Sequence, residues 1–213
     1  MWSVSPTVPG SIAAVAPEQD PPVAESSSRP KRLAEWPAAP LLSTERLSLE
    51  PLTPGHAEEM APLLDDPALY AFTGGRPLTL DELRRRYADQ ARGRSPDGTQ
   101  RWLNWIVRGA QSGQPLGTVQ ATVAVQGESF IADLAWLIAA PHQGRGYATE
   151  AATAMAGWLR AQGADVLAAN IHPRHDASMR VARALALTPT EEHIGGEVRW
   201  SWPPAQGLVQ PHA

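Results

Sequence analysis

Phe130-Ile-Ala-Asp133-Leu134-Ala135-Trp136-Leu137-Ile138-Ala139 runs into Ala140-Pro141-His142-Gln143-Gly144-Arg145-Gly146-Tyr147-Ala148-Thr149-Glu150-Ala151. The first half is apolar except for Asp133. It is short, rich in Ile, Leu, Phe and Trp, and closed by Pro141, which predicts a buried strand. Downstream, Ala148, Ala151, Ala152, Met155 and Leu159 recur at helical spacing, while Thr149, Glu150 and Arg160 fall off that stripe. This pattern predicts an amphipathic helix. The stretch therefore reads strand, glycine turn, helix.

A helix N-terminus presents free backbone N–H groups and about half a positive charge. Glycines at that point let a phosphate oxygen approach the backbone. Arg145 adds a cation at the same mouth. The turn is a candidate pyrophosphate cradle, and an ordinary strand-to-helix turn is the alternative. GxxxxGK[ST] is absent, which argues against a P-loop hydrolase. Gly144 and Gly146 are followed by Thr149, so the third glycine of a dinucleotide fingerprint is missing.

Gln143-x-x-Gly146-x-Ala148, placed between a strand and a helix, resembles the acetyl-CoA motif Q/R-x-x-G-x-G/A of the GNAT superfamily of N-acetyltransferases. Leu134 to Ile138 is similar to that family's fourth strand. Pro141 to Ala151 resembles the Rim-type branch, which includes ribosomal-protein acetyltransferases. A second segment, His172 to Leu187, resembles the same branch's N-x-x-S-x-x-V-x-x-x-x-G-F/L, with Ser178 and Val181 matching. His175 stands where the branch has Asn, and Ala186 where it has Gly. The resemblance covers about residues 41–203. It implies acetyl-CoA as co-substrate, held by Trp136, Leu137, Ile138, Gln143, Gly144, Arg145, Gly146, Tyr147, Ala148, Thr149, His175 and Ser178. It also implies that a backbone N–H near Leu137 stabilises the reacting carbonyl.

The remaining pattern gives the element order. Leu47 and Leu49 alternate with polar neighbours in a first strand over 45–51. Thr53 or Pro54 opens a helix stopped by Asp65-Asp66-Pro67, and Thr79 caps a second helix through about Ala91. Strands follow over 102–108 and 116–125, then the strand of Asp133 and the long helix. A parallel strand is expected over 165–171 and a short helix over 177–185, capped by Asp176. A hairpin around Gly195-Gly196 ends the set. The fold class is α/β (α+β): a mixed, mostly antiparallel sheet with helices on both faces, in the order β-α-α-β-β-β-α-β-α-β-β. That order is the one the resemblance implies.

Eight prolines between Pro6 and Pro40 forbid a long helix or a central strand. Residues 1–40 are expected to be disordered or loosely attached, 41–203 to form the domain, and 204–213 to be a tail. The net charge of −4 does not suggest a nucleic-acid surface, and Arg84-Arg85-Arg86 reads as a solvated helix face. No stretch is apolar for long enough to span a membrane, and no signal peptide is evident. A cytoplasmic location is the expectation, and a homodimer stays open. With no cysteine, an acyl group cannot pass through an enzyme thioester, which favours direct transfer.

Acetyl transfer to an amine needs a base, a stabilised carbonyl oxygen and a leaving thiolate. Asp133 is the candidate base. A lone carboxylate in an apolar strand is expected to be buried, and burial strengthens a carboxylate as a base. The Rim branch has a Glu at this strand position. The structural alternative is an Asp that bonds backbone or an arginine. Ser178, on one helical face with Val181, Ala182 and Leu185, is the candidate to meet the departing sulfur. The alternative is a hydroxyl bonded to the preceding helical turn. His172 and His175 have metal-like spacing but no third ligand, so no metal is expected. The acceptor side is expected to be built by the first two helices, the Phe72 to Pro77 loop and the last hairpin. Phe72 and Arg76 are its candidate residues, and Trp105 is a candidate wall. The rival to an amine acetyltransferase is an acyl-CoA-binding sensor of the same fold.

Overall fold

The computed structural model describes residues 32–72 and 74–203. Eight strands form one sheet: β1 Leu42–Ser43, β2 Leu47–Pro51, β3 Gln100–Gly109, β4 Pro115–Gln126, β5 Ser129–Ile138, β6 Val166–Ile171, β7 Thr188–Ile194 and β8 Glu197–Trp202. Their spatial order is β1-β2-β3-β4-β5-β6-β8-β7, with every pairing antiparallel except β5 with β6. The helices are α1 Ala57–Leu64, α2 Leu80–Gln90, α3 Tyr147–Ala161 and α4 Asp176–Ala184. The expected order is present, with β1 as an additional short edge strand.

Strand alternation assigns the two faces. Leu103, Trp105, Val107, Val119, Ala121, Val123, Ala132 and Leu134 point to one side and pack with Ala152, Met155 and Leu159 of α3 and with Val181 and Ala182 of α4. Ile106 points to the other side and packs with Met60 of α1 and Leu83 and Tyr87 of α2. Each such side chain contributes about 1.5–3 kcal/mol when fully buried. Thr79 and Glu82 cap α2 reciprocally, which fixes where that helix starts.

Two boundaries differ from expectation. Leu33–Glu35 forms a 3-10 turn, and Trp36 is only 4% exposed, edge-on to Phe130 at 4.8 Å. The Trp105 indole donates to the carbonyl of Pro40 at 2.7 Å. Residues 33–40 are therefore part of the domain, because a large aromatic and a backbone acceptor anchor a segment whose prolines exclude only regular structure. Residues 1–31 and 204–213, expected to be disordered, lie outside the described residues. His175 rather than Asp176 is the residue that precedes α4, and its side chain makes no capping bond.

The feature that positions the site is a split in the sheet. β5 pairs with β4 along its whole length, from Ser129 to Ile138. It pairs with β6 only at Ile131, Ala132 and Asp133, while the end of β6 turns to β8. Beyond Asp133 the two parallel strands part, leaving an open edge over residues 134–138.

Candidate active site

The glycine turn lies just past the end of the open edge. Gly144 and Gly146 have φ of 74° and 80°, a conformation that glycine adopts without strain. Gly146 caps α3, and the first helical bond runs from the Glu150 N–H to the Gly146 carbonyl at 3.0 Å. The N–H groups of Tyr147, Ala148 and Thr149 precede that bond, so they form the donor end of the helix. Nothing would meet a Cβ at Gly144, and at Gly146 it would come 3.5 Å from the Arg46 guanidinium. The turn is thus an open helix N-terminus of the kind at which anions are held.

One predicted residue, Gln143, and one that was not among the candidates, Glu150, hold this turn rather than line it. The Gln143 amide donates to the Ile138 carbonyl at 2.8 Å, tying the turn to the end of β5. Glu150 accepts from Thr44 at 2.5 Å, from the Arg46 backbone N–H at 3.1 Å and from its guanidinium at 2.7 Å. Partial burial raises the Glu150 pKa, but the bonds from Thr44 and Arg46 outweigh it and hold the carboxyl below its usual range. Arg46 also donates to the carbonyl of Arg145 at 3.1 Å and lies over the Tyr147 ring at 5.0 Å. The corner between β1 and β2 therefore clamps the turn from behind, while Arg145 stays exposed in front.

The open edge of β5 has a definite polarity. The Asp165 N–H donates to the Phe130 carbonyl, away from β4, and the Ala139 N–H donates to Leu116 of β4. The β4–β5 register is unbroken between these points, so direction alternates residue by residue. The N–H groups of Trp136 and Ile138 face the split, and that of Leu137 faces β4. Near Leu137, where a donor was expected, the N–H groups of its two neighbours face the split and its own does not. Gly117 allows β4 to lie close here, since a Cβ on it would fall 2.1 Å from the Leu137 carbonyl.

Across the split, the Trp136 indole N–H donates to the Ser178 hydroxyl of α4 at 3.3 Å. Two of the sequence candidates thus meet, and the bond leaves the Ser178 O–H free to donate elsewhere. His175 is half-buried and stacks on Phe72 at 4.4 Å, with His172 5.3 Å from the same ring. Burial, and then the neighbouring His172, push the His175 pKa down, so the imidazole is held toward its neutral form. The Phe72 loop is thereby placed over the end of β6 and the start of α4.

Asp133 is the last paired residue before the split, on the face of α1 and α2. Its side chain is 44% exposed, and Oδ1 lies 2.8 Å from Nη1 of Arg199 on β8. The expected burial is corrected: β6 presents only Ala168 opposite Asp133, so the side chain reaches past it to an arginine and to solvent. An arginine partner, which the structural alternative named, is present as an ion pair, without the burial that went with it.

Two acceptor candidates have other work. Trp105 is fully buried, edge-on to Trp158 at 5.9 Å, and cannot wall a substrate, because its strand phase points it into the α3 side of the core. Arg76 makes a two-bond pair with Glu82, at 2.7 and 3.0 Å, and donates to the Pro77 carbonyl. That guanidinium braces the capped start of α2. Arg46, Thr44 and Arg199 are the site residues that sequence reasoning missed. Their partners in the site, Glu150 and Asp133, lie 66 or more residues away, so no local pattern marks them, whereas the lone glycine at 117 inside a strand was a readable sign of close backbone approach.

An acetyltransferase (GNAT) domain model matches residues 46–188. No curated protein matches the chain. Among solved structures, RimL, a ribosomal alpha-N-protein acetyltransferase in complex with coenzyme A, aligns with TM-score 0.63 and 14% identity over 76% of this chain and 97% of its own. A putative GNAT-family acetyltransferase from Bordetella pertussis aligns with TM-score 0.58 and 23% identity over 76% and 97%. The microcin self-immunity acetyltransferase MccE, in complex with acetyl-CoA and AMP, aligns with TM-score 0.61 and 13% identity over 74% and 92%. At these identities the structures support the fold, and the domain model, which takes in Arg46, the split and the glycine turn, places the chain in the GNAT acetyltransferase family.

Proposed function

We propose that this protein is an N-acetyltransferase that moves the acetyl group of acetyl-CoA directly to a primary amine, with both reactants bound at once. The observation that supports this most is the split itself, which opens at Asp133 and leads to the glycine turn, with Ser178 across the gap. The residues suit the co-substrate: an open N-terminal turn for its phosphates, and inward N–H groups of Trp136 and Ile138 for its amide arm. Gly144 to Thr149 would hold the pyrophosphate, with Arg145 as the mobile countercharge. When bound, acetyl-CoA supplies an activated thioester.

The chain's own groups then have separate tasks. Asp133, through the exposed part of its carboxylate, takes the proton that an ammonium must lose, directly or through a water. Ser178, with the Trp136 indole on its oxygen, offers its O–H to a departing thiolate. A backbone N–H at the split, from Trp136 or Ile138, stabilises charge on the carbonyl oxygen. The acceptor side is the α1–α2 face, with the Phe72 loop and the β7–β8 hairpin as its walls. A protein N-terminus and a small-molecule amine both fit this reading.

The test is an amine panel with free coenzyme A as the readout. It contains a short peptide with a free α-amine, lysine, spermidine and benzylamine. Release of coenzyme A above the amine-free rate, matched by acetylated product, is expected for at least one member. Calorimetric binding of acetyl-CoA without release across the panel would make the protein an acyl-CoA-binding module.

A further inference from the structure

Asp133 stands on β5 opposite Ala168 of β6, and Arg199 stands on β8 opposite Asn170 of β6. Strands are spaced by about 4.8 Å, so roughly 10 Å of sheet separates the two backbones. Arginine is long enough to cross that distance, and Ala168, the residue between, puts only a methyl in the path. The crossing buries Oδ1 of Asp133, which has almost no surface and makes no hydrogen bond among the described residues. Its one close polar contact among them is Nη1 of Arg199, at 2.8 Å. The side chain as a whole is 44% exposed, so its accessible part is the other oxygen, Oδ2.

Arg199 is itself fixed. It is 14% exposed, donates from Nη1 to Asn170 at 3.4 Å, and lies with Nε 3.6 Å from Glu192 on β7. A carboxylate's terminal torsion is broad and two-fold, so an aspartate beside an open gap takes its orientation from its partner rather than from its rotamer. Here the partner comes from the hairpin that also walls the acceptor side.

We propose that Arg199 is a positioning residue for the acetyl transfer: by pinning Oδ1 of Asp133 it turns Oδ2 toward the acceptor amine. This rests on the reading of Asp133 as the group that takes the amine's proton. The effect of Arg199 on the chemistry runs through Asp133.

The test compares wild type, Arg199→Gln, Arg199→Lys, Asp133→Asn and the double variant Asp133→Asn/Arg199→Gln. Each is assayed with acetyl-CoA and the panel amine that the wild type acetylates fastest. Misplacing a reacting group by about an ångström costs on the order of 10²-fold, so Arg199→Gln is expected to lower kcat by about 10- to 100-fold. Acetyl-CoA affinity should be unchanged, and Arg199→Lys should recover part of kcat. The double variant should be no slower than Asp133→Asn. If Arg199→Gln does not fold, Arg199→Lys carries the same comparison in the two backgrounds. An unchanged kcat in Arg199→Gln while Asp133→Asn is slow would overturn the positioning role alone. A further loss in the double variant would also overturn it. Wild-type turnover by Asp133→Asn would instead remove the base assignment, and the positioning role with it.

Discussion

At the residue scale, the site depends on side chains that serve the backbone as much as on those that face a ligand. Glu150 shows this best. It is one turn into α3, where a carboxylate is favoured by the helix dipole, and its bonds to Thr44 and Arg46 bind β1, β2 and the glycine turn together. Replacing Glu150 by Gln keeps the shape and removes the charge. Charge-assisted hydrogen bonds contribute about 1.5–3 kcal/mol each before compensation, so a stability loss of about 1–3 kcal/mol is expected at neutral pH. The sign with pH follows from the depressed carboxyl pKa. The unfolded chain binds the proton more tightly, so the native advantage is complete above the ordinary glutamate range and fades as pH falls through the lowered native value. Urea unfolding of wild type and Glu150→Gln across pH 7 to 3 should therefore show two curves that converge in acid. Calorimetry at pH 7 should show weaker acetyl-CoA binding in the variant, because a loosened Arg46 no longer holds the Arg145 carbonyl. Curves that stay parallel into acid would mean that the carboxylate's charge is not what the clamp uses.

At the element scale, the sequence made most of the fold readable because each element carries its own period or punctuation. Strand β5, α3 and the turn between them were legible from apolar runs and two glycines, and α2 from its Thr79–Glu82 cap. What stayed hidden is pairing: no local signal says that β5 leaves β6 after Asp133, or that Trp105 rather than Trp102 faces the core. The end of α4 shows how a departure in sequence becomes a local strain. The Leu187 N–H bonds the Ala182 carbonyl at 2.9 Å, and the Ala186 N–H bonds that of Arg183 at 2.9 Å, which together are a Schellman closure. That closure places Ala186 at φ 63°, the left-handed region, where the related motif has glycine. Left-handed backbone costs a residue with a Cβ about 1–2 kcal/mol. Glycine loses about 0.5–1 kcal/mol more than alanine in chain entropy on folding. Ala186→Gly is accordingly expected to stabilise the protein by up to about 1 kcal/mol, read as a higher urea midpoint with an unchanged slope. A lower midpoint would show that the strain is absorbed elsewhere in the turn.

At the scale of the whole molecule, one sheet serves two faces. α3 and α4 build the larger core and present the glycine turn and Ser178, while α1 and α2 cover the opposite face and leave Asp133 half-exposed beside them, with Arg199 mostly covered. The binding half was legible in outline, since its motif is contiguous. The loop and hairpin expected on the other side were named from the resemblance, but the Asp133–Arg199 pair was not legible, since β5 and β8 are brought together only by folding. The segment before β1 belongs to the same lesson. Its prolines exclude regular structure but not packing: Trp36 closes the larger core against Phe130, and the Pro40 carbonyl accepts from the buried Trp105. Truncating a buried Trp to Ala costs about 3–5 kcal/mol. For a chain of this size each kcal/mol moves Tm by about 2–4 °C. A chain that begins at Arg32 should therefore melt at least about 6 °C above one that begins at Leu41, and Trp36→Ala in the full chain should fall by a similar amount. Acetyl-CoA should raise Tm in all of them by mass action, because the turn and the split lie away from the removed segment. Equal melting temperatures for the two truncated chains would show that Trp36 only covers the core, and that the domain's stability begins at β1.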